Sequence, residues 1–308
     1  MHCPSCKGGA VENLGALTGI PGLFDLPDPG SLHHCKTCHL YFRRPFFNPE
    51  ELSEAYRRIP ATHWRTPENR TDHRLAVDEV MALKQSGKIL DVGCYRGDFL
   101  QRLPEGFSKY GIEPSEAAAS IAARKGVRIC ARTLESMDAK APFFDVITLI
   151  DVLEHLPYPF LALSKLVPLL NREGVILLST GNTDALPWRL MRRDYWYYST
   201  EHVSFFNPRW FRWAARQTGL SLIDMKTFSH QEGSVLERWR QIAQCLIYIA
   251  LKYFDGHPSV QRMLSKIYPF SRAIHWHSAP PAQRWKDHVL VTLGPAHPRT
   301  DRQALPGS

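Results

Sequence analysis

Short apolar runs alternate with helix-compatible segments over most of the chain, from about residue 87 to residue 295. Residues 88–92, 143–150 and 175–179 form three such runs, and each is followed by a polar turn and a helical or turn-rich stretch. Runs of this length, separated by helices, indicate parallel strands that are buried on both faces. The pattern therefore predicts an α/β fold for residues 87–295.

Two helices carry clear start signals. Asn48 stands at an N-cap position with Pro49 directly after it, and Asn207 and Pro208 repeat this arrangement. Asparagine accepts hydrogen bonds from the first free backbone amides of a helix, and proline has the backbone angle of the first helical position. Gly219 supplies the stop signal of the second helix.

Two further strands, at residues 220–228 and 287–293, enclose a helical insertion over about residues 230–285. Six apolar residues of the insertion recur at steps of three and four, which places them on one helical face. They are Val235, Trp239, Ile242, Leu246, Ile249 and Tyr253. We expect the protein's own core to cover this face. A homodimer contact or a membrane surface is the alternative for residues 235–253.

The chain of 308 residues has a formal net charge of +8. This charge indicates an anionic partner, and phosphate, nucleic acid and membrane surfaces all qualify. No apolar run approaches the roughly 20 residues that span a bilayer. The amino terminus lacks the basic and apolar regions of a secretory signal. We therefore expect a cytoplasmic protein, with peripheral membrane binding as an option.

Four of the seven cysteines form two C-x-x-C pairs, Cys3 with Cys6 and Cys35 with Cys38. In a chain without export features such pairs favour metal ligation over disulfides. Two thiolate pairs complete a tetrahedral structural zinc site and leave no position open for catalysis. Residues 1–47 are therefore predicted to be a zinc-ribbon arm. Reduced thiols, or a nearby histidine in place of one thiolate, are the alternatives.

Residues 48–86 are predicted to form a helical lid or linker, in which Tyr56, Trp64 and Arg65 are candidates for covering a ligand. Plain surface packing is the alternative for these three side chains. Residues 296–308 have the composition of a disordered tail.

The segment from residue 88 to residue 100 carries the strongest chemical signal. An apolar run ends in Asp91, Gly93 and Gly97, and a helix-compatible segment follows. Glycine lets the main chain approach a ligand closely, as at a nucleotide site. Glu113 follows a second strand about 20 residues later, where a carboxylate can accept both hydroxyls of a ribose.

These features resemble the class I S-adenosylmethionine-dependent methyltransferases. The family's first motif is matched by Asp91, Gly93, Cys94 and Gly97, and its acidic ribose ligand by Glu113. Its fourth-strand motif is matched by residues 144–155. The resemblance covers roughly residues 72–228. A dehydrogenase ranks below it because the G-x-G-x-x-G fingerprint is absent.

The resemblance implies a Rossmann-like sheet of seven strands with S-adenosylmethionine at its carboxyl edge. In the family, further residues surround this methyl donor. The matching positions here are Pro114, Thr133, Leu134, Ile150 and Asp151.

An alcohol acceptor needs a base, and histidine is the first candidate. His202 lies in an E-H-x-x-x-F segment similar to one in sugar methyltransferases of bacterial polysaccharide clusters. We predict it as the general base or as a group that orients the substrate, with Glu201 holding its ring. A structural cap is the alternative. His155 closes the fourth-strand motif and is a second candidate, better suited to the cofactor wall.

The aromatic segment at residues 195–198 is a candidate for stacking on a sugar ring. Tyr198 and Trp196 are the predicted substrate contacts, and Arg193 is placed to hold a diphosphate. The same composition would suit nucleic-acid bases beside a basic groove, or a lid packed on the domain.

The favoured function is methyl transfer to a sugar or glycan-type acceptor, most simply by O-methylation. An RNA methyltransferase is the first alternative, because zinc ribbons precede this fold in some ribosomal RNA enzymes and the charge is positive. It loses support because residues 151–154 replace the N-P-P-Y motif of base-methylating enzymes. The second alternative is a non-catalytic zinc-ribbon scaffold that retains a cofactor pocket.

Overall fold

The computed structural model describes residues 1–18, 29–45, 49–60, 62, 70–137, 143–269, 273, 280 and 283–295. The strands are β1 (Val11–Ala16), β2 (Ser31–Cys35), β3 (Tyr41–Arg44), β4 (Gly87–Val92), β5 (Phe107–Ile112), β6 (Arg128–Ala131), β7 (Phe144–Ile150), β8 (Leu170–Gly181), β9 (Ser204–Phe205), β10 (Leu220–Phe228) and β11 (His288–Pro295). The α-helices are α1 (Pro49–Arg57), α2 (Thr71–Leu83), α3 (Glu116–Arg124), α4 (Pro159–Leu166), α5 (Leu186–Met191), α6 (Pro208–Thr218), α7 (Val235–Tyr253) and α8 (Pro258–Leu264).

Seven strands form one mixed sheet in the order β10-β11-β8-β7-β4-β5-β6. The strands from β8 to β6 pair in parallel, and β11 pairs antiparallel with both β8 and β10. The predicted seven-stranded, Rossmann-like sheet is thereby confirmed. The helical insertion before the last strand is confirmed by α7 and α8, which lie between β10 and β11.

Both faces of this sheet are buried, because successive residues of each strand point to opposite sides. Leu90 and Ile147 pack with α4 and α6 in one core. Ile89 and Val146 pack with α2 and α3 in the other. This two-sided burial explains the continuous apolar runs of the sequence, as expected for a parallel sheet between helices.

A second sheet has the order β1-β2-β3-β9. Its first three strands belong to the amino-terminal arm, whereas β9 lies in the connection that contains His202. Tyr41 of β3 pairs with Phe205 of β9. The arm is therefore joined to the methyltransferase-like region through a shared sheet.

The predicted caps of α6 are confirmed. The side chain of Asn207 accepts hydrogen bonds from the amides of Arg209 and Trp210, and Gly219 ends the helix with a φ of 73°. Asn48, by contrast, lies outside the described residues, as do Trp64, Arg65 and the tail at 296–308.

The covered face of α7 differs from the predicted one. Ile242 and Cys245 are buried, whereas Val235, Trp239, Leu246 and Tyr253 are more than half exposed. The helix is rotated so that only one edge of the predicted stripe contacts the core. The interpretation of the whole stripe as a core face is wrong for this reason. No helix in the described part of the chain is long and apolar enough to cross a membrane.

Candidate active site

A cavity of about 480 Å³ opens at the carboxyl edge of the seven-stranded sheet. Its walls come from the loops after β4, β5, β6 and β7, from the connection between β8 and β9, and from the first residue of β11. Because β11 runs antiparallel, its amino-terminal end lies at the same edge as the carboxyl ends of its neighbours. Ligands of open α/β sheets bind at this edge.

The glycine turn after β4 forms one end of the cavity. Gly93 has a φ of 74°, and a Cβ atom on it would lie 2.6 Å from Cγ2 of Val152. Only glycine fits a backbone with this angle and this neighbour. The main chain of Gly93 and Tyr95 therefore lines the cavity directly.

Glu113 is buried beside this turn. Its carboxylate oxygens accept the backbone amides of Tyr95 and Ser115, each at 2.8 Å. Burial raises the pKa of Glu113 to about 7, while the two amides act in the opposite direction. Each oxygen keeps a lone pair for a further donor. The group thus fits the two vicinal hydroxyls of a ribose, as the sequence predicts.

Four other predicted cofactor residues also line the cavity: Pro114, Thr133, Leu134 and Ile150. Pro114 adjoins Glu113. Thr133 is the N-cap of a short 3-10 turn: its side chain accepts the backbone amide of Ser136, and the side chain of Ser136 accepts that of Thr133. Leu134 and Ile150 supply apolar surface. This arrangement suits a nucleoside with its sugar at Glu113 and its base between apolar walls.

Three residues of the first motif do not line the cavity. Asp91 is buried behind the turn, where it accepts the hydroxyl of Thr148 at 2.7 Å. Burial raises the pKa of Asp91 to about 7. The thiol of Cys94 faces Gly111, and Gly97 faces Val127. These three residues, predicted to bind the cofactor, thus lie behind the turn and not on the cavity wall, where they support the shape of the turn.

Asp151 lies on the cavity wall with a φ of 53°. Arg70 donates to one of its oxygens and also to Asp72. The other oxygen of Asp151 is buried and has no hydrogen-bond partner among the described residues. Burial and the Asp72 carboxylate raise the pKa of Asp151 to about 6, against the opposing charge of Arg70. An unpaired buried acceptor of this kind is available to a ligand donor.

His155 and His202 stand together at the other end of the cavity, with ring centroids 4.8 Å apart. Nδ1 of His202 lies 2.8 Å from the carbonyl oxygen of Tyr197. A carbonyl only accepts, so Nδ1 carries the proton and Nε2 is left as an acceptor. Burial, and next the charge of His155, lower the pKa of His202 to about 3. Its ring is therefore neutral and weakly basic.

Glu201 lines the cavity next to both histidines. Its backbone carbonyl lies 3.2 Å from Nδ1 of His155. The hydroxyl of Tyr56 is 2.7 Å from the same nitrogen. The role of the Glu201 carboxylate in holding the ring of His202 stays a prediction; the backbone partner of that ring is the Tyr197 carbonyl.

Glu154, His155 and His202 place one ligand atom each within 4.8 Å of one another, a set that can hold a metal ion. Glu154 is buried, and its oxygens accept the hydroxyls of Tyr197 at 2.5 Å and Thr180 at 2.9 Å. Burial raises the pKa of Glu154. Since both oxygens are already bonded, the group acts as a buried hydrogen-bond anchor for Tyr197.

Two of the three predicted substrate residues lie away from the cavity. Tyr198 is buried with its ring edge against Phe205. Arg193 donates to the carbonyl oxygen of Ala16 in the arm, at 3.0 Å. The structure therefore does not place Tyr198 and Arg193 where they could contact a substrate in the cavity. These side chains join the arm to the connection between β8 and β9. Trp196 does line the cavity.

Sequence reasoning missed His230 and His288, which also line the cavity, and it placed Tyr197 there only as a member of the aromatic segment. His288 opens β11, and the signal available was the Asp-His pair at residues 287 and 288. That pair stands more than 130 residues beyond the fourth-strand motif. Only the sheet order brings it to this edge.

The cysteine cluster lies in the arm, outside the cavity. The four sulfurs are within 4.8 Å of one another, and Cys3 to Cys38 and Cys6 to Cys35 are each 3.5 Å apart. Four thiolates at about 2.3 Å from a tetrahedral zinc ion would be separated by roughly 3.8 Å. The amides of Ser5 and Gly8 donate to two of the sulfurs. The residues present therefore fit a structural zinc.

Arg43 links the arm to the histidine end of the cavity. It is 1 % exposed. Its guanidinium donates to the carbonyl oxygens of Tyr198, Ser199 and His202 at 2.6, 2.9 and 3.1 Å. A planar donor set of this kind fixes several carbonyls at once. The conformation of the connection around His202 thus depends on a residue of the arm.

Comparison with known proteins identifies the family of this chain. The family model described as a methyltransferase domain matches residues 61–224, which is more than half of the chain. The chain therefore belongs to the methyltransferase domain family, and it is an enzyme of the S-adenosylmethionine-dependent class.

Among curated proteins, the ubiquinone biosynthesis O-methyltransferase of Stutzerimonas stutzeri is 33% identical over 114 residues, which are 34% of this chain and 49% of that protein. The protein of the same name from Nitrosomonas europaea is 26% identical over 163 residues, covering 47% of this chain and 68% of that protein. The chain spans about half the length of most curated relatives it matches.

Among solved structures, a possible histamine N-methyltransferase of Thermotoga maritima is 17% identical with a TM-score of 0.44, covering 72% of this chain and 90% of that one. The magnesium protoporphyrin IX methyltransferase of Synechocystis is 19% identical with a TM-score of 0.41, covering 51% and 77%.

Proposed function

We propose that the enzyme methylates a hydroxyl oxygen of a ring-shaped small molecule, with a phenol as the favoured acceptor. The carrying observation is the character of the cavity end opposite Glu113. It is lined by the rings of Tyr56, Trp196, Tyr197, His155 and His202. Aromatic walls with a few polar tips suit an aromatic acceptor that carries a hydroxyl group.

The sugar or diphosphate-linked acceptor that the sequence favours has less support. Two of its three predicted contacts, Tyr198 and Arg193, are engaged elsewhere, and only Trp196 lines the cavity. Arg70 reaches the cavity, but its guanidinium is bound to Asp72 and Asp151. The curated relatives are named as O-methyltransferases of ubiquinone biosynthesis, which also favours a small-molecule hydroxyl as the acceptor.

S-adenosylmethionine supplies the methyl group when bound, and Glu113 and the Gly93 turn are the residues that would hold it. The rest of the chemistry belongs to the acceptor end. His202 accepts a hydrogen bond from the acceptor hydroxyl at Nε2 and orients its oxygen, since its Nδ1 proton is fixed on the Tyr197 carbonyl. The aromatic walls exclude water and hold the ring of the acceptor.

The test is incubation of the purified enzyme with labelled S-adenosylmethionine and three acceptor types. These are 3,4-dihydroxybenzoate, a uridine diphosphate sugar and a short RNA, with Glu113→Gln as the inactive control. Mass spectrometry locates the methyl group. The proposal expects O-methylated dihydroxybenzoate. Methylation of only the nucleotide sugar would contradict the proposal in favour of a sugar methyltransferase. Methylation of only RNA would contradict it in favour of an RNA methyltransferase.

We also propose that Cys3, Cys6, Cys35 and Cys38 bind a structural zinc ion. The sulfur distances and the burial of three of the thiols support it. Metal analysis of the purified chain should give about one zinc per chain. Cys38→Ser should lose it and unfold at a lower temperature, since such ions contribute folding free energy. Cys130→Ser, outside the cluster, is the matched control. An equal zinc content in both variants would contradict this site.

A further inference from the structure

A buried chain of hydrogen bonds ends at the cavity on β11. The hydroxyl of Tyr195 donates to Oδ2 of Asp287 at 2.5 Å. Oδ1 of Asp287 lies 3.0 Å from Nδ1 of His288. All three residues are 0% exposed. Because a carboxylate only accepts, Nδ1 of His288 carries the proton, and both oxygens of Asp287 are held in place.

The other ring nitrogen of His288 is the notable atom. Nε2 is buried and has no hydrogen-bond partner in the part of the chain that the structure describes. His288 lines the same cavity as His202 and Asp151. A buried acceptor without a partner costs stability, so its presence in a native cavity indicates a ligand donor that meets it.

The ring of His288 is also rigidly held. It begins β11, where His288 pairs with Gly181 of β8 and with Phe228 of β10. The rings of Tyr197 and His230 contact it, with centroids 5.2 and 4.1 Å away. A histidine on a strand that is paired on both sides, oriented by a carboxylate, has the geometry of a catalytic base rather than that of a loop cap.

We propose that His288 is the general base that removes the proton from the acceptor hydroxyl, with Asp287 and Tyr195 as positioning residues. This inference rests on the proposed O-methylation and names the proton acceptor of that reaction. His202 then orients the hydroxyl, and His288 receives its proton.

The step balances in atoms and charge. The oxygen–hydrogen bond of the acceptor breaks and its proton goes to Nε2 of His288, while the oxygen forms a bond to the methyl carbon. The sulfur–methyl bond breaks and its electron pair stays on sulfur, which loses its positive charge. That charge reappears as the imidazolium of His288, beside the Asp287 carboxylate.

The surroundings favour this imidazolium. Burial alone would lower the pKa of His288, but the Asp287 carboxylate raises it above its usual value, and Asp151 and Glu154 act in the same direction. His230 faces the ring from the end of β10, and burial, followed by the charge of His288, lowers the pKa of His230. Of the two rings, His288 is therefore the one that holds the proton. His202, whose pKa falls to about 3, is the weaker base.

The first experiment compares His288→Gln with wild type on two catechols, 3,4-dihydroxybenzoate and the much more acidic 4-nitrocatechol. Loss of a general base costs about 10²- to 10⁴-fold. We expect a kcat loss of at least about 100-fold on dihydroxybenzoate and below about tenfold on nitrocatechol, which ionises without help. A merely structural role predicts equal losses on both. His257→Gln, at the exposed start of α8, is the control and should stay within about twofold.

The second experiment reads the ring directly. In wild type bound to S-adenosylhomocysteine, nuclear magnetic resonance of labelled imidazoles should show His288 protonated at Nδ1 and titrating above pH 6.5. Asp287→Asn should lower that pKa and move the acid limb of the kcat profile to lower pH, with a reduced plateau. Tyr195→Phe should do the same to a smaller extent.

The outcomes are separable. If wild type methylates no hydroxyl acceptor, the proposed function fails. If wild type is active but His288→Gln loses less than about threefold on dihydroxybenzoate, the role of His288 fails while the function stands. Calorimetry checks whether His288→Gln still binds S-adenosylhomocysteine. If it does not, the folded Asp287→Asn variant decides: an acid limb of its kcat profile at the same pH as in wild type would overturn the role of His288.

Discussion

The two ends of the cavity are built in different ways. The donor end, around Gly93 and Glu113, comes from consecutive strands and loops between residues 91 and 134. The acceptor end combines the connection before β9 with the start of β11, and it is supported by Arg43 of the arm. The donor end is built from strand–turn units that follow one another along the chain. The acceptor end exists only after distant parts of the chain have packed together.

The largest effect is expected at the acceptor end, from Arg43→Met. The carbonyl oxygens of Pro29, Tyr198, Ser199 and His202 would lose a donor, and among the described residues only that of Ser199 keeps a second one, the amide of His202. Each buried group left unpaired costs about 1–3 kcal/mol. The free energy of unfolding should fall by at least about 3 kcal/mol in urea titrations. Arg43→Lys, which keeps the charge, should lose less. Arg172→Met, at an exposed site, is the control.

Binding of S-adenosylhomocysteine by folded Arg43→Met should stay within about threefold of wild type, since the donor end is built independently. The kcat should fall more than tenfold, because the segment around His202 loses its anchor. If the affinity for S-adenosylhomocysteine falls as much as the kcat, the two ends of the cavity form one unit and are not built independently.

Glu113→Gln tests the donor end alone. An amide in this place turns a donor towards the backbone amide of Tyr95 or Ser115 and removes the charge that ribose hydroxyls meet. Calorimetry should show S-adenosylhomocysteine bound roughly 100-fold more weakly, or about 2.7 kcal/mol. The exposed Glu116→Gln is the control. A Kd within threefold of wild type would remove Glu113 from the site.

Gly93→Ala should destabilise the same end through shape. The added Cβ would meet Val152 at 2.6 Å on a backbone with positive φ. Gly126→Ala shares the positive φ but meets nothing within 4 Å. The first substitution should cost about 1–2 kcal/mol more than the second in thermal unfolding. Equal costs would mean that the close approach to Val152 is unimportant.

The smallest effect concerns pH. Burial raises the pKa of Asp91 and Glu113 to about 7 in the folded enzyme, well above their values in an unfolded chain. Between about pH 4.5 and pH 7 the folded state therefore binds more protons than the unfolded state. The contribution of these two carboxyl groups to stability therefore falls as the pH rises through this window, whereas buried histidines with a lowered pKa, such as His202 and His73, act in the opposite direction.

Between pH 5 and pH 8 the free energy of unfolding of Glu113→Gln should fall less, or rise more, than that of the unliganded wild-type enzyme, by about 1 kcal/mol or more in urea titrations, because one of the two carboxyl groups no longer titrates. The same pH dependence in both proteins would show that the pKa of Glu113 is not raised in the folded enzyme.

The donor end could be predicted from sequence because its signals are local. A turn that needs Gly93, and a carboxylate one strand later, stand at spacings that the strand–turn–helix unit itself sets. The caps of α6 follow from neighbouring residues for the same reason. What the sequence could not show was that Asp91 and Cys94 face the interior rather than the cavity.

The acceptor end could not be read in this way. Tyr198 and Arg193 are residue types that suit sugars. Tyr198, however, lies in one core cluster with Phe205 and with Leu17 and Leu32 of the arm, and Arg193 donates to the arm at Ala16. His288 belongs to a strand whose neighbours in space, β8 and β10, are remote or separated by the helical insertion. The stripe of α7 has correct periodicity, but only tertiary contact determines which edge is covered.

The two-residue strand β9 bears on how this chain folds. Its pairing with β3 and the contact of Arg43 with His202 join residues 159 to 164 positions apart. Closing so long a loop is slow and entropically costly, whereas the repeating strand–helix units connect nearby segments. The contacts between the arm and the acceptor end can therefore form only after β9 has been synthesised, when the strands around the nucleoside end of the cavity are already available.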